Sequence, residues 1–249
     1  MTLNFLDNGP NDAPLTLVLA HGAGAPMDAP FMTAMADGLA EAGLRVLRFE
    51  FPYMAARRTD GRRRPPDPQA RLLETWRAVV SRLGPERLIL GGKSMGGRMA
   101  SMIADESGVR GLACLSYPFH PPGKPERLRT AHLEDIAVPT LIVQGTRDPF
   151  GTREEVAGYA LSPHIRLAWI EDGNHDLVPR KASGRTQAQN WDAAVAAVVS
   201  AGAGTVVVSW PVSTAAGGGL AATLRGRSAG AAAGASIEAS KDSAMACES

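Results

Sequence analysis

The chain is short of cysteine, of aromatics, of long apolar runs and of any excess of one charge, and each shortage excludes something. Only two of its 249 residues are cysteine. Cys114 lies in an apolar run and Cys247 near the chain end, so a disulfide-stapled secreted fold is not expected and a reducing compartment suits the chain better. No stretch approaches the roughly 18 to 20 consecutive apolar residues of a membrane-spanning helix. The opening residues, Met1 to Pro10, carry neither the basic cluster nor the apolar core of a secretory signal. With 26 basic residues against 25 acidic ones the net charge is +1, which gives no overall attraction to nucleic acid or to an anionic membrane surface. The expectation is a cytoplasmic protein with neither nucleic acid nor membrane as partner.

What is present is unevenly distributed. From Ala203 to Ser249, 27 of 47 residues are Ala, Gly or Ser, and Trp210 is the one aromatic there against 12 before it. Such a composition buries too little apolar area to offset the entropy of ordering it. Residues 1–202 are therefore expected to form the working domain, and 203–249 a low-complexity, disordered tail.

Within the first 202 residues, short β-rich runs alternate with segments of helical period, the pattern of a parallel sheet wrapped by helices. Strands are predicted at Leu15–Ala20, Leu44–Phe49, Arg87–Gly91, Gly111–Ser116, Thr140–Gln144 and Arg166–Ile170, with a weaker one at Leu3–Leu6. Most are near-continuous apolar runs, as strands buried on both faces should be. Helical stripes run through Met32, Met35 and Leu39 after Asp28 and Pro30, and through Leu72, Trp76, Val79 and Leu83. Asp67 reads as the N-cap of that second helix, with Pro68 at its first position. Further stripes are Met95, Met99, Met102, Ile103 and Trp191, Val195, Val198; these Met and Trp positions read as core packing.

The strongest chemical signal is Gly92-Lys93-Ser94-Met95-Gly96, set between a strand and a helix. It fits the G-x-S-x-G nucleophile elbow, whose turn is so sharp that the serine is strained and side chains two residues to either side would collide. Gly92-Lys93-Ser94 also resembles the end of a phosphate-binding loop. That loop needs a glycine where Arg87 stands, and flexible chain where Leu88, Ile89 and Leu90 form a strand.

A serine needs an oriented base to attack a carbonyl near neutral pH. Asp148 leaves the strand at Thr140–Gln144 and His175 leaves the one at Arg166–Ile170, which gives the chain order Ser, acid, His. Asp172 and Asp176 compete as the acid, but both flank His175 in sequence. Directly after the first long strand, His21-Gly-Ala-Gly-Ala-Pro26 is a small-residue loop suited to supply an oxyanion donor. The amides of Ala23 and Met95 are the predicted pair, with Gly24 as an alternative. A dinucleotide-binding loop would need glycine where Met27 stands.

With these residues the chain resembles an α/β-hydrolase, over roughly residues 3 to 202. The resemblance rests on His21-Gly-Ala-Gly-Ala-Pro26, Phe49-Glu-Phe-Pro-Tyr-Met54, Gly91-Gly-Lys-Ser-Met-Gly-Gly97, Tyr117-Pro-Phe-His-Pro-Pro-Gly-Lys-Pro125 and Gln144-Gly-Thr-Arg-Asp-Pro-Phe-Gly151. It is nearest a small capless bacterial branch related to hydrolase-like domains of a testis-expressed protein and of a histone-acetyltransferase complex subunit; dienelactone hydrolases are more distant. The resemblance implies an α/β fold with a mostly parallel sheet, helices on both faces and no cap. It implies Ser94, Asp148 and His175 as a triad acting on a small-molecule ester, thioester or lactone through an acyl-enzyme, with no metal or organic cofactor. The alternative is a non-catalytic hydrolase-like module for protein interaction, as in the chromatin complex. The tail has no counterpart in the family.

Two features bear on substrate. Only 23 residues separate Ser116 from Thr140, too few for a helical cap, so Tyr117, Phe119 and His120 are expected near an open mouth. His120 would bind or orient substrate there, or serve as a proline-braced structural histidine. The segment Tyr53–Pro66 holds Arg57, Arg58, Arg62, Arg63 and Arg64 against Asp60 alone. It reads either as a solvated flexible loop or as an attractor of an anionic acyl substrate, or of a partner, through residues such as Arg57 and Arg58.

Deleting residues 203–249 should leave activity and melting temperature unchanged. A fall beyond about 2–4 °C, the shift that 1 kcal/mol produces in a domain of this size, would show that the tail packs on the domain.

Overall fold

The computed structural model describes residues 3–202, and the low-complexity segment expected at 203–249 lies outside the described residues. Among the described residues, seven strands form one sheet: β1 (Phe5–Asn8), β2 (Thr16–Ala20), β3 (Arg45–Phe49), β4 (Leu88–Lys93), β5 (Gly111–Leu115), β6 (Thr140–Gly145) and β7 (Ile165–Ile170). Their order across the sheet is β1-β3-β2-β4-β5-β6-β7. Strand β1 runs antiparallel to β3 and every other pairing is parallel. All six long strands lie where the apolar runs place them, within two residues at each end. The weak first strand is displaced from Leu3–Leu6 to Phe5–Asn8.

Among the described residues there are six α-helices, five between strands and the last after β7: α1 (Pro30–Glu41), α2 (Pro52–Asp60), α3 (Gln69–Leu83), α4 (Met95–Ser101), α5 (Arg153–Val156) and α6 (Gln187–Gly202). Alternate residues of β2 to β7 feed two cores. Val18, Leu47, Leu90, Cys114 and Ile142 pack on one face with Trp76 of α3 and Met99 of α4. Leu17, Val46, Ile89, Ala113 and Val143 pack on the other with Met32, Met35 and Leu39 of α1 and Val198 of α6. Burial on both faces explains why these strands carry no polar alternation.

Two local expectations need correction. The arginine-rich segment starts as helix α2, not as a flexible loop. Pro52 opens it, Gly61 ends it in a left-handed conformation with φ 69°, and Arg57 and Arg58 lie in its last turn, where cations suit the helix dipole. Nor does Asp67 cap α3, whose N-terminal flank is Pro68 with no side-chain cap. Asp67 Oδ2 instead accepts the Tyr53 amide at 2.9 Å, so it caps α2 from 14 residues away. Between β5 and β6 the described chain forms a single 3-10 turn, Ala131–Leu133, and no cap.

Asp67→Ala should therefore destabilise the protein by about 1 kcal/mol, the usual cost of a lost N-terminal cap. Asp67→Asn keeps an acceptor oxygen and should cost less; urea denaturation of both variants reads the difference.

Candidate active site

Strand β4 ends at Lys93 and α4 starts at Met95, so Ser94 alone turns the chain. Its backbone sits at φ 51° and ψ −116°, a region that a non-glycine residue occupies at a cost of order 1–3 kcal/mol. The strain is held from both sides: the Ser94 amide donates to Leu115 O at 2.9 Å and Ser94 O accepts from the Arg98 amide at 3.0 Å. The elbow also presses against the end of β2. A Cβ at Gly92 would lie 2.5 Å from Ala20 O, and one at Gly96 would lie 2.5 Å from Ala20 O and 2.6 Å from His21 O.

Across the carboxyl edge of the sheet, His175 Nε2 lies 2.9 Å from Ser94 Oγ. Its Nδ1 lies 2.8 Å and 3.0 Å from the two oxygens of Asp148. Asp148 has no exposed surface. It is also served by the Phe150 amide at 2.9 Å and by Gln144 Nε2 at 3.0 Å. Carboxylate oxygens accept, so the tautomer that fits both contacts has its hydrogen on Nδ1 and its lone pair on Nε2, facing the serine hydroxyl.

The competing acids are occupied elsewhere. Asp172 accepts from the Arg180 amide at 2.6 Å and from Arg180 Nε at 2.8 Å, with Arg147 Nε also at 2.8 Å. The Arg180 bonds hold its carboxyl below the usual carboxylate range. Asp176 is exposed and pairs with Lys93 Nζ at 3.3 Å.

The loop of His21 closes the other side. Its imidazole is buried: Nε2 accepts the Phe51 amide at 3.1 Å and Nδ1 faces Gly22 O at 2.7 Å. Burial pushes its pKa down, so the ring stays neutral. Tyr53 Oη donates to Ala23 O at 2.9 Å. Further along, Met27 N donates to Glu50 Oε1 at 3.2 Å and Met27 O accepts from Arg48 at 3.0 Å. This clamps the loop beside the elbow, where a Cβ on Gly22 would stand 3.7 Å from Ser94 Cβ. Among the described residues, the backbone amides of Ala23 and Met95 donate to no acceptor.

A family model for the alpha/beta hydrolase domain matches residues 13–202. The chain belongs to the α/β-hydrolase family. Its fold is similar to that of a serine hydrolase homologue from Coxiella burnetii, at TM-score 0.60 and 21% identity over 78% of this chain and 90% of that one. A serine hydrolase without a lid from Xanthomonas campestris matches at TM-score 0.60 and 21% identity, over 79% and 88% of the two chains. The dienelactone hydrolase of Anabaena variabilis matches at 0.58 and 22%, over 80% and 88%. The hydrolase fold thus brings Ser94, His175 and Asp148 together from three separate strand ends.

Other predicted residues lie elsewhere. Tyr117, Phe119 and His120 are fully buried and do not line a mouth. Tyr117 Oη donates to Arg129 O at 3.1 Å, and Gln144 Nε2 donates to Tyr117 O at 3.2 Å. His120 is braced by Pro121 O at 2.8 Å and by Glu155 at 3.4 Å. Arg58 is consumed by both oxygens of Glu50, each at 2.7 Å, and by Asp28 at 2.6 Å. Arg57, one turn beyond Tyr53 and partly exposed, makes no side-chain hydrogen bond or ion pair among the described residues.

Three residues hold the histidine loop in a role that no motif marks. Asn190 donates to Leu177 O at 2.8 Å and to Glu171 O at 3.1 Å, Trp191 Nε1 donates to Asp176 O at 2.9 Å, and Lys93 Nζ donates to His175 O. The one available signal is a polar residue in an apolar setting: Asn190 shares a helical stripe with Ala194 and Val198, and Lys93 ends a buried strand. No helix among the described residues is long and apolar enough to cross a membrane.

Gly96→Ala should lower the melting temperature sharply, because its Cβ meets backbone that cannot move aside; a loss at or above the 1–3 kcal/mol of an overpacked core is expected. Gly24→Ala, with nothing within 4 Å of its Cβ, should leave the melting temperature unchanged. Thermal denaturation of the pair checks the contrast.

Proposed function

We propose that the protein is a serine hydrolase that cleaves an ester, thioester or lactone bond of a small acyl substrate through an acyl-enzyme. The observation that carries this reading is the continuous line from Ser94 Oγ to His175 Nε2 at 2.9 Å and from His175 Nδ1 to a fully buried Asp148. The chemistry needs a nucleophile, a base aligned with it and a group that fixes the base's tautomer, and these are the three side chains in contact.

His175 Nε2 takes the hydroxyl proton as Ser94 Oγ bonds to the substrate carbonyl carbon, while Asp148 stabilises the imidazolium that forms. The carbonyl oxygen becomes an oxyanion facing the amides of Ala23 and Met95, each such donor contributing about 2.7–4 kcal/mol to the transition state. The intermediate collapses, the carbon–oxygen or carbon–sulfur bond breaks, and His175 returns its proton to the departing oxygen or sulfur. In a lactone that group stays attached as the opened chain. Water then loses a proton to His175 as it attacks the acyl carbon; Ser94 leaves with that proton and the acid is released.

A fluorophosphonate probe should label the wild-type protein and leave Ser94→Ala unlabelled. Hydrolysis of short-chain nitrophenyl esters should fall by more than about 10³-fold in Ser94→Ala and His175→Ala, and by about 10⁴-fold in Asp148→Asn, which sets the wrong tautomer. Equal labelling of wild type and Ser94→Ala would sink this reading. Absence of any turnover together with a co-purifying partner would favour an interaction module.

A further inference from the structure

Lys93, the residue before Ser94, is a buried charge at the end of an apolar strand, with 6% of its surface exposed. Strand β4 sends Leu88 and Leu90 to the core under α3 and Ile89 to the opposite core. By alternation Lys93 leaves on the side of Ile89, toward α1. Its ammonium donates to His175 O, lies 3.3 Å from Asp176 Oδ1 and stands over the Phe31 ring, 5.2 Å from its centroid. A three-donor ammonium thus has a carbonyl, a carboxylate and an aromatic face as partners. Desolvation lowers its pKa, opposed by the charges of Asp176 and Asp148. Burying an ammonium is costly compared with a leucine or methionine of similar volume, so stability alone does not account for a lysine there.

What the lysine connects does account for it. Lys93 is peptide-bonded to Ser94, and its far end holds the backbone of His175, 81 residues beyond Ser94 in the chain. Asn190 and Trp191 secure neighbouring carbonyls, those of Glu171, Asp176 and Leu177. Among the described residues, only Lys93 donates a side-chain hydrogen bond to the carbonyl of His175 itself. Since Nζ faces that carbonyl and not Ser94 Oγ, any effect on the reaction passes through the histidine.

We propose that Lys93 is a positioning residue whose ammonium fixes the His175 backbone, so that Nε2 stays within hydrogen-bonding reach of Ser94 Oγ. It governs the chemical step and leaves substrate binding untouched. The proposal rests on the reading of Ser94 and His175 as nucleophile and base. A displacement of about 1 Å in such a pair costs on the order of 10²-fold in rate.

The test is steady-state hydrolysis of nitrophenyl butyrate by the full-length protein, with active sites counted by fluorophosphonate. Lys93→Met, which keeps the apolar stem, should lower kcat per active site by about 10- to 100-fold with KM within about twofold, and slow labelling by the same factor. Lys93→Arg restores a cation with donors and should recover part of the loss. In a His175→Ala background, Lys93→Met should change the residual rate by less than about twofold, because no imidazole remains to be held. An unchanged kcat, or the same fold loss with and without His175, overturns the proposal. If Lys93→Met does not fold, Asp176→Asn takes its place: it alters the exposed partner and should lower kcat severalfold at constant KM, only when His175 is present. An unchanged kcat in that variant is equally fatal. Should Ser94→Ala retain full activity, the hydrolase reading itself fails; an inactive Ser94→Ala beside a fully active Lys93→Met rejects the role of Lys93 alone.

Discussion

The fully buried carboxylate of Asp148 is the constraint on which the rest of the site depends. A carboxylate removed from water is tolerable only if its lone pairs are met by donors. Here the donors come from three places: the imidazole of His175, the amide of Phe150 two residues on, and the side chain of Gln144 at the end of β6. Meeting them requires the loop after β7 to cross the end of β6. It can do so because Gly145 has no side chain: a Cβ there would fall on the Gly173 carbonyl. The acid, the glycine beneath the crossing and the histidine that arrives by it form one arrangement, which ends at a strained serine beyond the end of β4, with β5 lying between β4 and β6.

The same logic of holding backbone by remote side chains governs the other wall. Arg48 of β3 is buried, and its two terminal nitrogens donate to Met27 O, Thr33 Oγ1 and Asn8 Oδ1, while its Nε has no partner among the described residues. Burial lowers its pKa, yet at neutral pH a guanidinium remains charged. Glu50 takes the Met27 amide and is itself neutralised by Arg58. The arginine cluster that stands out in the sequence is therefore partly consumed inside the protein. Arg58 ties α2 to Glu50 after β3 and to Asp28 in the segment between β2 and α1, and Arg64 pairs with Asp60.

How much of this is legible in the sequence depends on whether the cause is local. The long strands are, because burial on both faces writes an unbroken apolar run. The elbow is, because its glycines answer to carbonyls that any such turn brings close. The order of Ser94, Asp148 and His175 along the chain is legible too, and the three side chains meet. Helix α2 is not, because its N-terminal cap, Asp67, and its anchor, Glu50, lie outside it. The burial of Tyr117 and His120 is hidden for the same reason. It follows from pairings of a proline-rich segment with distant chain, such as Phe119 O with the Arg129 amide and the His120 amide with Phe150 O.

Lys93, Asp148, Arg48 and Glu50 are four ionisable side chains buried around one catalytic candidate. Such groups are poor devices for stability, since well-packed apolar residues of similar size are often as good or better. They are effective devices for position, because a buried charge that loses its partner is strongly penalised and the geometry that keeps the partner is correspondingly stiff. Each of the four reaches backbone of a loop at the carboxyl edge of the sheet: His175 O for Lys93, the Phe150 amide for Asp148, Met27 O for Arg48 and Met27 N for Glu50. Those loops are the parts of the fold that sheet hydrogen bonds leave free. The hydrophobic cores set where the strands end; the buried charges determine where, beyond those ends, the reacting atoms are held.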